Sequence, residues 1–245
     1  LVIVGVHSPE FDFEKSPSNV AAAVKRDDVT WPVALDPNMA TWNAWSNQYW
    51  PAEYLIDKQG NVAYYNFGEG EYDKTERAIV SLLGIDAAIP TAAPAAADPA
   101  QTPELYAGST RGSLDGQEKY GPAGVSTQYP DSGAPAGNGS IEVVGGWADH
   151  HEYLEATTSG HVRLRFHAAA LYIVAESARQ AVTVTITLDG VPVDAAHRGP
   201  DLSPSSTLTV GRSDLFDVLT GVGGANHLID LSVPAGFRLY TFTFE

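Results

Sequence analysis

The sequence predicts a two-domain protein, an α/β domain followed by an all-β, jelly-roll-like sandwich. Three observations carry this. Strand-like and helix-like signals alternate through residues 1–86, an Ala- and Pro-rich stretch fills residues 87–103, and from residue 104 helical periodicity gives way to short alternating apolar runs. With 245 residues, 44% of them hydrophobic, the chain is long enough to bury two cores.

The run Leu1-Val2-Ile3-Val4-Gly5-Val6 is continuously apolar, the pattern of a strand buried on both faces. A natural chain rarely starts inside its own core, so this opening, which lacks Met, is expected to continue an upstream segment. Ser16-Pro17-Ser18-Asn19 supplies a cap serine and a proline at the first helical position, and residues 20–24 extend it as an Ala-rich helix. Residues 31–36 (WPVALD) read as a short strand. Pro37-Asn38 then starts a helix whose Met39, Trp42 and Trp45 share one face, with both tryptophans expected in the core, before Tyr49-Trp50-Pro51 interrupts it. Residues 52–57 (AEYLID) and 61–67 (NVAYYNF) read as strands around a Lys58-Gln59-Gly60 turn. Residues 74–83 place Ile79, Leu82 and Leu83 at helical spacing, with Gly84 as the stop.

Residues 87–103 hold almost nothing able to anchor a core and predict a semi-extended linker. Beyond it, residues 161–167 set Val162, Leu164 and Phe166 on one strand face and Arg and His on the other. Residues 171–175, 182–188 and 237–244 are further strands, and Asp189-Gly190 is a hairpin signal.

Fourteen Lys and Arg stand against 30 Asp and Glu, a formal charge of −16. No basic footprint exists for a phosphate backbone, which excludes nucleic acid and argues against anionic membrane surfaces as partners. Residues 1–86 carry 6 basic and 13 acidic residues and residues 87–245 carry 8 and 17, so the surface as a whole is acidic and no acidic tail is present. No apolar run is long enough to span a bilayer. Cysteine is absent, which excludes disulfide staples, thiolate metal sites and cysteine nucleophiles within these residues.

The order strand (LVIVGVHSPEF), capped helix, strand (WPVALD), helix, then YWPAEYLIDKQGNV resembles a thioredoxin-fold redoxin. Together with the FGEGEYDKTE run, the linker and the TPELY start of the second half, the chain is similar to the extracytoplasmic C-terminal region of DipZ-type membrane proteins. In that family a thioredoxin-like domain precedes a sandwich resembling a carbohydrate-binding module. The resemblance implies domains at 1–86 and 104–245, the first lacking its initial strand and the helix that carries a Cys-x-x-Cys. It also implies a cis bond at Trp50-Pro51, beside which an extended substrate peptide pairs. Trp50, Pro51 and Glu53 are therefore the candidate substrate-binding residues, with Glu53 a possible proton carrier; an exposed or sheet-paired glutamate is the equal alternative.

His7, at the carboxyl end of the first strand with Glu10 nearby, is more simply a loop histidine than an acid/base group. Asp149-His150-His151-Glu152 is the densest set of metal-ligand types, but adjacent strand residues point to opposite faces, so no metal is expected. Asp214, Asp217 and Asp230 are too scattered to nominate. For sugar stacking Tyr120, Tyr129, Trp147, Tyr153 and Tyr172 are available, and Trp147, after Gly145-Gly146, is the candidate ligand-binding residue, although an aromatic of that size is more often a core residue. No P-loop, dinucleotide fingerprint or Ser-His-Asp pattern is present, and no cofactor is expected.

The resemblance thus implies the extracytoplasmic part of a membrane-tethered thiol-disulfide oxidoreductase. Its dithiol would lie upstream, its partners would be protein disulfides and a membrane electron-transfer domain of the same polypeptide, and its sandwich would bind a ligand, with a carbohydrate as the candidate. The alternative is a redox-inactive thioredoxin scaffold carrying a carbohydrate- or protein-binding module.

Overall fold

The computed structural model describes residues 1–87, 89, 98–115, 119–131, 133 and 137–245. Two compact units are formed, Leu1–Ala96 and Ala97–Glu245. Most of the expected linker, at residues 88 and 90–97, lies outside the described residues.

The first unit runs β1 (Gly5–His7), α1 (Pro17–Arg26), β2 (Val33–Leu35), α2 (Ala40–Ala44), β3 (Ala52–Ile56), β4 (Val62–Phe67) and α3 (Tyr72–Leu83). Pro17 occupies the first turn of α1, where a missing N–H costs nothing, and Val20 is the residue that helix buries. Gly84 ends α3 at φ 64°, a left-handed position that glycine enters without a Cβ clash. β1 pairs with β2 in parallel, Gly5 opposite Val33, and β3 pairs with β4 antiparallel, Ala52 opposite Phe67. Asp57 closes the β3–β4 turn by accepting the Gln59 and Asn61 N–H groups at 2.9 and 2.8 Å.

Two expectations for this unit are corrected. The first strand is not buried on both faces: pairing starts at Gly5, and Leu1, Val2 and Val4 are 68%, 85% and 60% exposed. Among the described residues β1 has β2 as its single strand neighbour, so its other edge is uncovered. The Trp42–Trp45 stripe is not core either. α2 is only five residues long and buries none of them, leaving Trp42 half-buried and Trp45 exposed.

The second unit is largely β. Its strands are β5 (Leu105–Tyr106), β6 (Thr127–Tyr129), β7 (Ile141–Asp149), β8 (Leu154–Ala156), β9 (Gly160–His167), β10 (Leu171–Ser177), β11 (Val182–Leu188), β12 (Val191–Pro192), β13 (Thr207–Val210), β14 (Asp214–Leu219), β15 (Asn226–Val233) and β16 (Phe237–Phe244). They form one curled sheet in the order β12-β11-β15-β9-β7-β8-β16-β10-β14, with β13 on β11, β5 on β16 and β6 on β7. The curl is made by β7. Ile141 to Val144 pair with β9, whereas Gly145, Gly146 and Trp147 pair with β6, and Trp147, Ala148 and Asp149 with β8. Gly145 sits at φ 97° at the change of partner, and a Cβ there would lie 3.0 Å from the Ser159 carbonyl oxygen, so the bend requires glycine.

Both halves of the curl contribute to one hydrophobic cluster, Val143, Leu164 and Ile229 from one and Leu171, Ile173 and Phe242 from the other. The predicted inward face of β9 holds, with Val162, Leu164 and Phe166 fully buried. Asp189 and Gly190 turn β11 into β12 with φ 53° and 79°, as their dipeptide predicts. Hydrogen bonding to the sheet starts ahead of the expected boundary at residue 104. Asp98 pairs with His167 Nε2 at 2.8 Å, Thr102 N–H donates to the His167 carbonyl at 2.8 Å, and Gln101 Nε2 donates to the Phe244 carbonyl at 3.0 Å.

Trp147 is corrected from a ligand-stacking residue to a core residue. It is 1% exposed, lies in the shared cluster, and donates its Nε1–H to the Val144 carbonyl at 3.0 Å. Neither ring face is open to a sugar. Tyr129 is also buried, and the half-buried Tyr120 and Tyr172 commit their hydroxyls to the Ala107 carbonyl and Glu245.

Candidate functional site

The site in the first unit is organised by Asp36, which follows β2 and is 5% exposed. Its two carboxylate oxygens accept the N–H groups of Thr41 and Trp42 at 2.9 Å each, which fixes the start of α2, and Oδ2 also accepts the Ser8 hydroxyl at 3.1 Å. Those hydrogen bonds hold the Asp36 carboxyl below the usual carboxylate range against the opposing effect of burial. Ser8 in turn offers its carbonyl to the Trp50 indole N–H at 3.1 Å, and Trp42 packs against Trp50 with ring centroids 4.1 Å apart and planes tilted by 32°. Trp50 is thus anchored from both sides, and the Trp50–Pro51 peptide bond is cis.

The Pro51 carbonyl is occupied, accepting the Gly68 N–H at 2.9 Å, while the main-chain N–H and C=O of the half-exposed Trp50 have no hydrogen-bond partner among the described residues. Glu53, two residues on, is half-buried and accepts the Thr75 hydroxyl of α3 at 2.9 Å. Val4, Trp42, Trp50, Pro51, Glu53 and Leu55 all line one cleft of about 1130 Å³. Among the described residues β3 has β4 as its single strand neighbour, as β1 has β2, and both of these one-sided strands border the cleft. The structure therefore brings Trp50, Pro51 and Glu53 to one wall.

His7 stands outside that wall, with Nε2 at 3.2 Å from the Glu14 carbonyl oxygen. The residues missed from sequence are Asp36, Ser8 and Thr75, whose roles depend on contacts 28, 42 and 22 positions away along the chain. No local pattern marks such partners. Tyr49, legible in the sequence only as part of the Tyr49-Trp50-Pro51 interruption, stacks on Phe67 at 5.1 Å.

In the second unit the Asp149–Glu152 run does not converge. Asp149 accepts the Ser109 N–H at 3.1 Å, His150 stacks on Tyr153 at 4.8 Å, and among the described residues no group of three or more His, Asp or Glu side chains is placed to hold a metal ion. Also among the described residues, no helix is long and apolar enough to cross a membrane.

Asp217 carries an electrostatic penalty. Its Oδ1 is buried without a hydrogen-bond partner, and burial, then Asp201, then Glu245 push its carboxyl above the ordinary value. A carboxyl whose folded value is raised favours the fold at pH below the unfolded value and loses that contribution as pH rises through the folded one. Asp217→Asn is therefore expected to stabilise the β unit by about 1 kcal/mol at neutral pH, and by less near pH 4. Thermal unfolding at the two pH values checks it, and a destabilised variant at neutral pH would contradict the penalty.

Comparison with known proteins places these features. The family described as "Thioredoxin like C-terminal domain" matches residues 102–244, which is the β unit. Protein DipZ of Mycobacterium tuberculosis is 33% identical over 259 residues, covering 100% of this chain and 34% of that protein. The thiol-disulfide oxidoreductase YkuV of Bacillus subtilis is 28% identical over 83 residues, covering 34% of this chain and 56% of that protein. A family two carbohydrate esterase from Clostridium thermocellum, solved with cellohexaose, aligns with a TM-score of 0.30 and 15% identity over 38% of this chain and 27% of its own. The chain spans about a third of the DipZ length.

Proposed function

We propose, from the premise that the chain belongs to the thioredoxin-like C-terminal domain family, that it is the substrate-facing portion of a thiol-disulfide oxidoreductase. The observation that carries this reading is the cleft bordered by β1 and β3, two strands with one neighbour each, beside the unpaired main chain of Trp50. A strand and dithiol-bearing helix from an upstream segment would fill the cleft. A membrane electron-transfer domain further upstream would recharge the dithiol, and this portion would lie outside the cytoplasm. The whole-chain similarity to DipZ and the partial similarity to a thiol-disulfide oxidoreductase support the assignment.

The implied reaction is exchange. A thiolate attacks the substrate disulfide, one substrate sulfur leaves as thiolate and takes a proton, and the second thiol displaces the other, so the dithiol is oxidised as the substrate is reduced. This chain supplies the groove: an extended substrate pairs with the Trp50 main chain, and Glu53 accepts or returns the proton at the cleft wall. The β unit, in the jelly-roll-like reading, serves as an appended binding module. Trp147 being core, a carbohydrate ligand would rely on other groups.

The chain itself, having no cysteine, is expected to show no disulfide reductase activity above background in an insulin-reduction assay. Joining a strand and a Cys-x-x-Cys helix ahead of Leu1 should confer turnover. Turnover by the cysteine-free chain would contradict the mechanism. Inactivity of the complete protein would leave the alternative, a redox-inactive scaffold carrying a binding module.

A further inference from the structure

We infer that the rim beside Trp50–Pro51 selects extended polypeptide segments bearing a cationic side chain, held between the exposed Tyr49–Phe67–Tyr65 rings and the Glu69 carboxylate. This deepens the groove reading above and rests on it. Tyr49, Phe67 and Tyr65 are 50%, 42% and 60% exposed, yet they are ordered relative to one another: Tyr49 stacks on Phe67 at 5.1 Å and Phe67 on Tyr65 at 5.0 Å. Three contiguous half-exposed aromatic rings exceed what a surface needs for solubility and mark a contact site. Their place is fixed by backbone, since Phe67 lies opposite Ala52 in the β3–β4 ladder and Gly68 N–H donates to the Pro51 carbonyl. A segment paired with the Trp50 main chain therefore passes these rings.

The first charged residue after the rings is acidic. Glu69 leaves β4 on a loop whose shape is held by Asn66, which donates Nδ2–H bonds to the Gly68 and Gly70 carbonyls at 3.1 and 3.2 Å. Glu69 is exposed and forms no ion pair among the described residues. The nearest basic residues along the chain, Lys74 and Arg77, are already committed to Glu71 and Asp73. Glu69 follows Phe67 by two residues, so a cation at the rim can meet both an aromatic π face and a carboxylate that no described basic residue pairs with, whereas an anion meets repulsion. Arginine fits best, because its planar group both stacks on a ring and pairs with a carboxylate.

The test uses the full chain and three acetylated, amidated hexapeptides of alternating valine and threonine that differ only in carrying two arginines, two glutamines or two glutamates. Binding is followed by tryptophan fluorescence and by calorimetry. The arginine peptide is expected to bind about tenfold tighter than the glutamate peptide at low salt. That gap should shrink severalfold at about 1 M salt, where the screening length is about 3 Å. Glu69→Lys should reverse the order, and Tyr65→Ser, at an exposed position, should weaken the arginine peptide more than the glutamine one. Equal binding of all three peptides would overturn the cationic selectivity and leave the groove standing. Failure of any peptide to bind the correctly folded chain would overturn both.

Discussion

Replacing Trp147 with alanine should lower the stability of the β unit by about 3–5 kcal/mol, the range for emptying a large buried aromatic site. The ring is 1% exposed and sits where β7 changes partner, with Thr127 opposite it on β6 and Ala156 on β8. Alanine would leave a cavity at the point where both halves of the curled sheet meet, and collapse into it is resisted by strands on either side. The Nε1–H bond to Val144 would go as well, worth about 1 kcal/mol. Trp147→Phe keeps most of the volume and should cost roughly 1–2 kcal/mol, mostly through that lost hydrogen bond and residual space. Denaturant unfolding of the full chain, followed by ellipticity, measures both. A loss below about 1 kcal/mol for the alanine variant would mean the ring is not the packing element described.

What the sequence made legible is what local pattern determines. The face of β9 carrying Val162, Leu164 and Phe166, the Asp189-Gly190 turn, and the α1 start at Pro17 all rest on spacing or on one residue's backbone preference, and the structure has them. β15 was readable in principle, since Ile229, Leu231 and Val233 alternate with polar residues and are buried. β7 was not. Gly145 and Gly146 interrupt its alternation because the strand bends there into the second half of the curl, so its period breaks where its partner changes. The exposure of Leu1–Val4 shows the opposite limit, since an apolar run states what a strand needs covered without supplying the cover.

At the site, Trp50, Pro51 and Glu53 were legible through the resemblance rather than through any periodicity. Their supports were hidden for a physical reason. Asp36 acts through the N–H groups of Thr41 and Trp42 and through Ser8, and Glu53 is oriented by Thr75 on α3. Each is a short polar side chain whose role comes from tertiary placement. Trp147 is the complementary case: of the two readings open to it from sequence the structure has the core one, since the glycines serve the bend and the ring fills the core behind it.

Arg163→Ala should destabilise the β unit by about 2–3 kcal/mol, and the loss should shrink as pH falls. Arg163 lies on the polar face of β9, directly between Glu142 of β7 and Asp230 of β15 in the strand registers. Its Nε donates to Asp230 at 3.1 Å, its two terminal nitrogens donate to Asp131 at 2.9 and 3.0 Å, and Glu142 lies 3.8 Å away. One guanidinium therefore offsets several carboxylates, and its own side chain is 17% exposed. Removing it leaves Glu142 and Asp230, on the two strands that flank β9, without the cation between them, Asp230 keeping only its His161 contact at 2.8 Å, which is costlier than losing an exposed pair. The hydrogen bonds from Arg163, then the Gly133 N–H, hold the Asp131 carboxyl well below the usual carboxylate range. A carboxyl with a depressed folded value stabilises at pH above the unfolded value, about 4, and loses that contribution as pH falls toward the folded one. The native chain thus weakens on acidification through this site, whereas the variant, having lost the cation, gains as its crowded carboxylates protonate. Unfolding free energies measured from pH 7 to about pH 3 should converge. A variant whose deficit stays constant or widens across that range would show that Arg163 acts by packing its methylene stem rather than by charge.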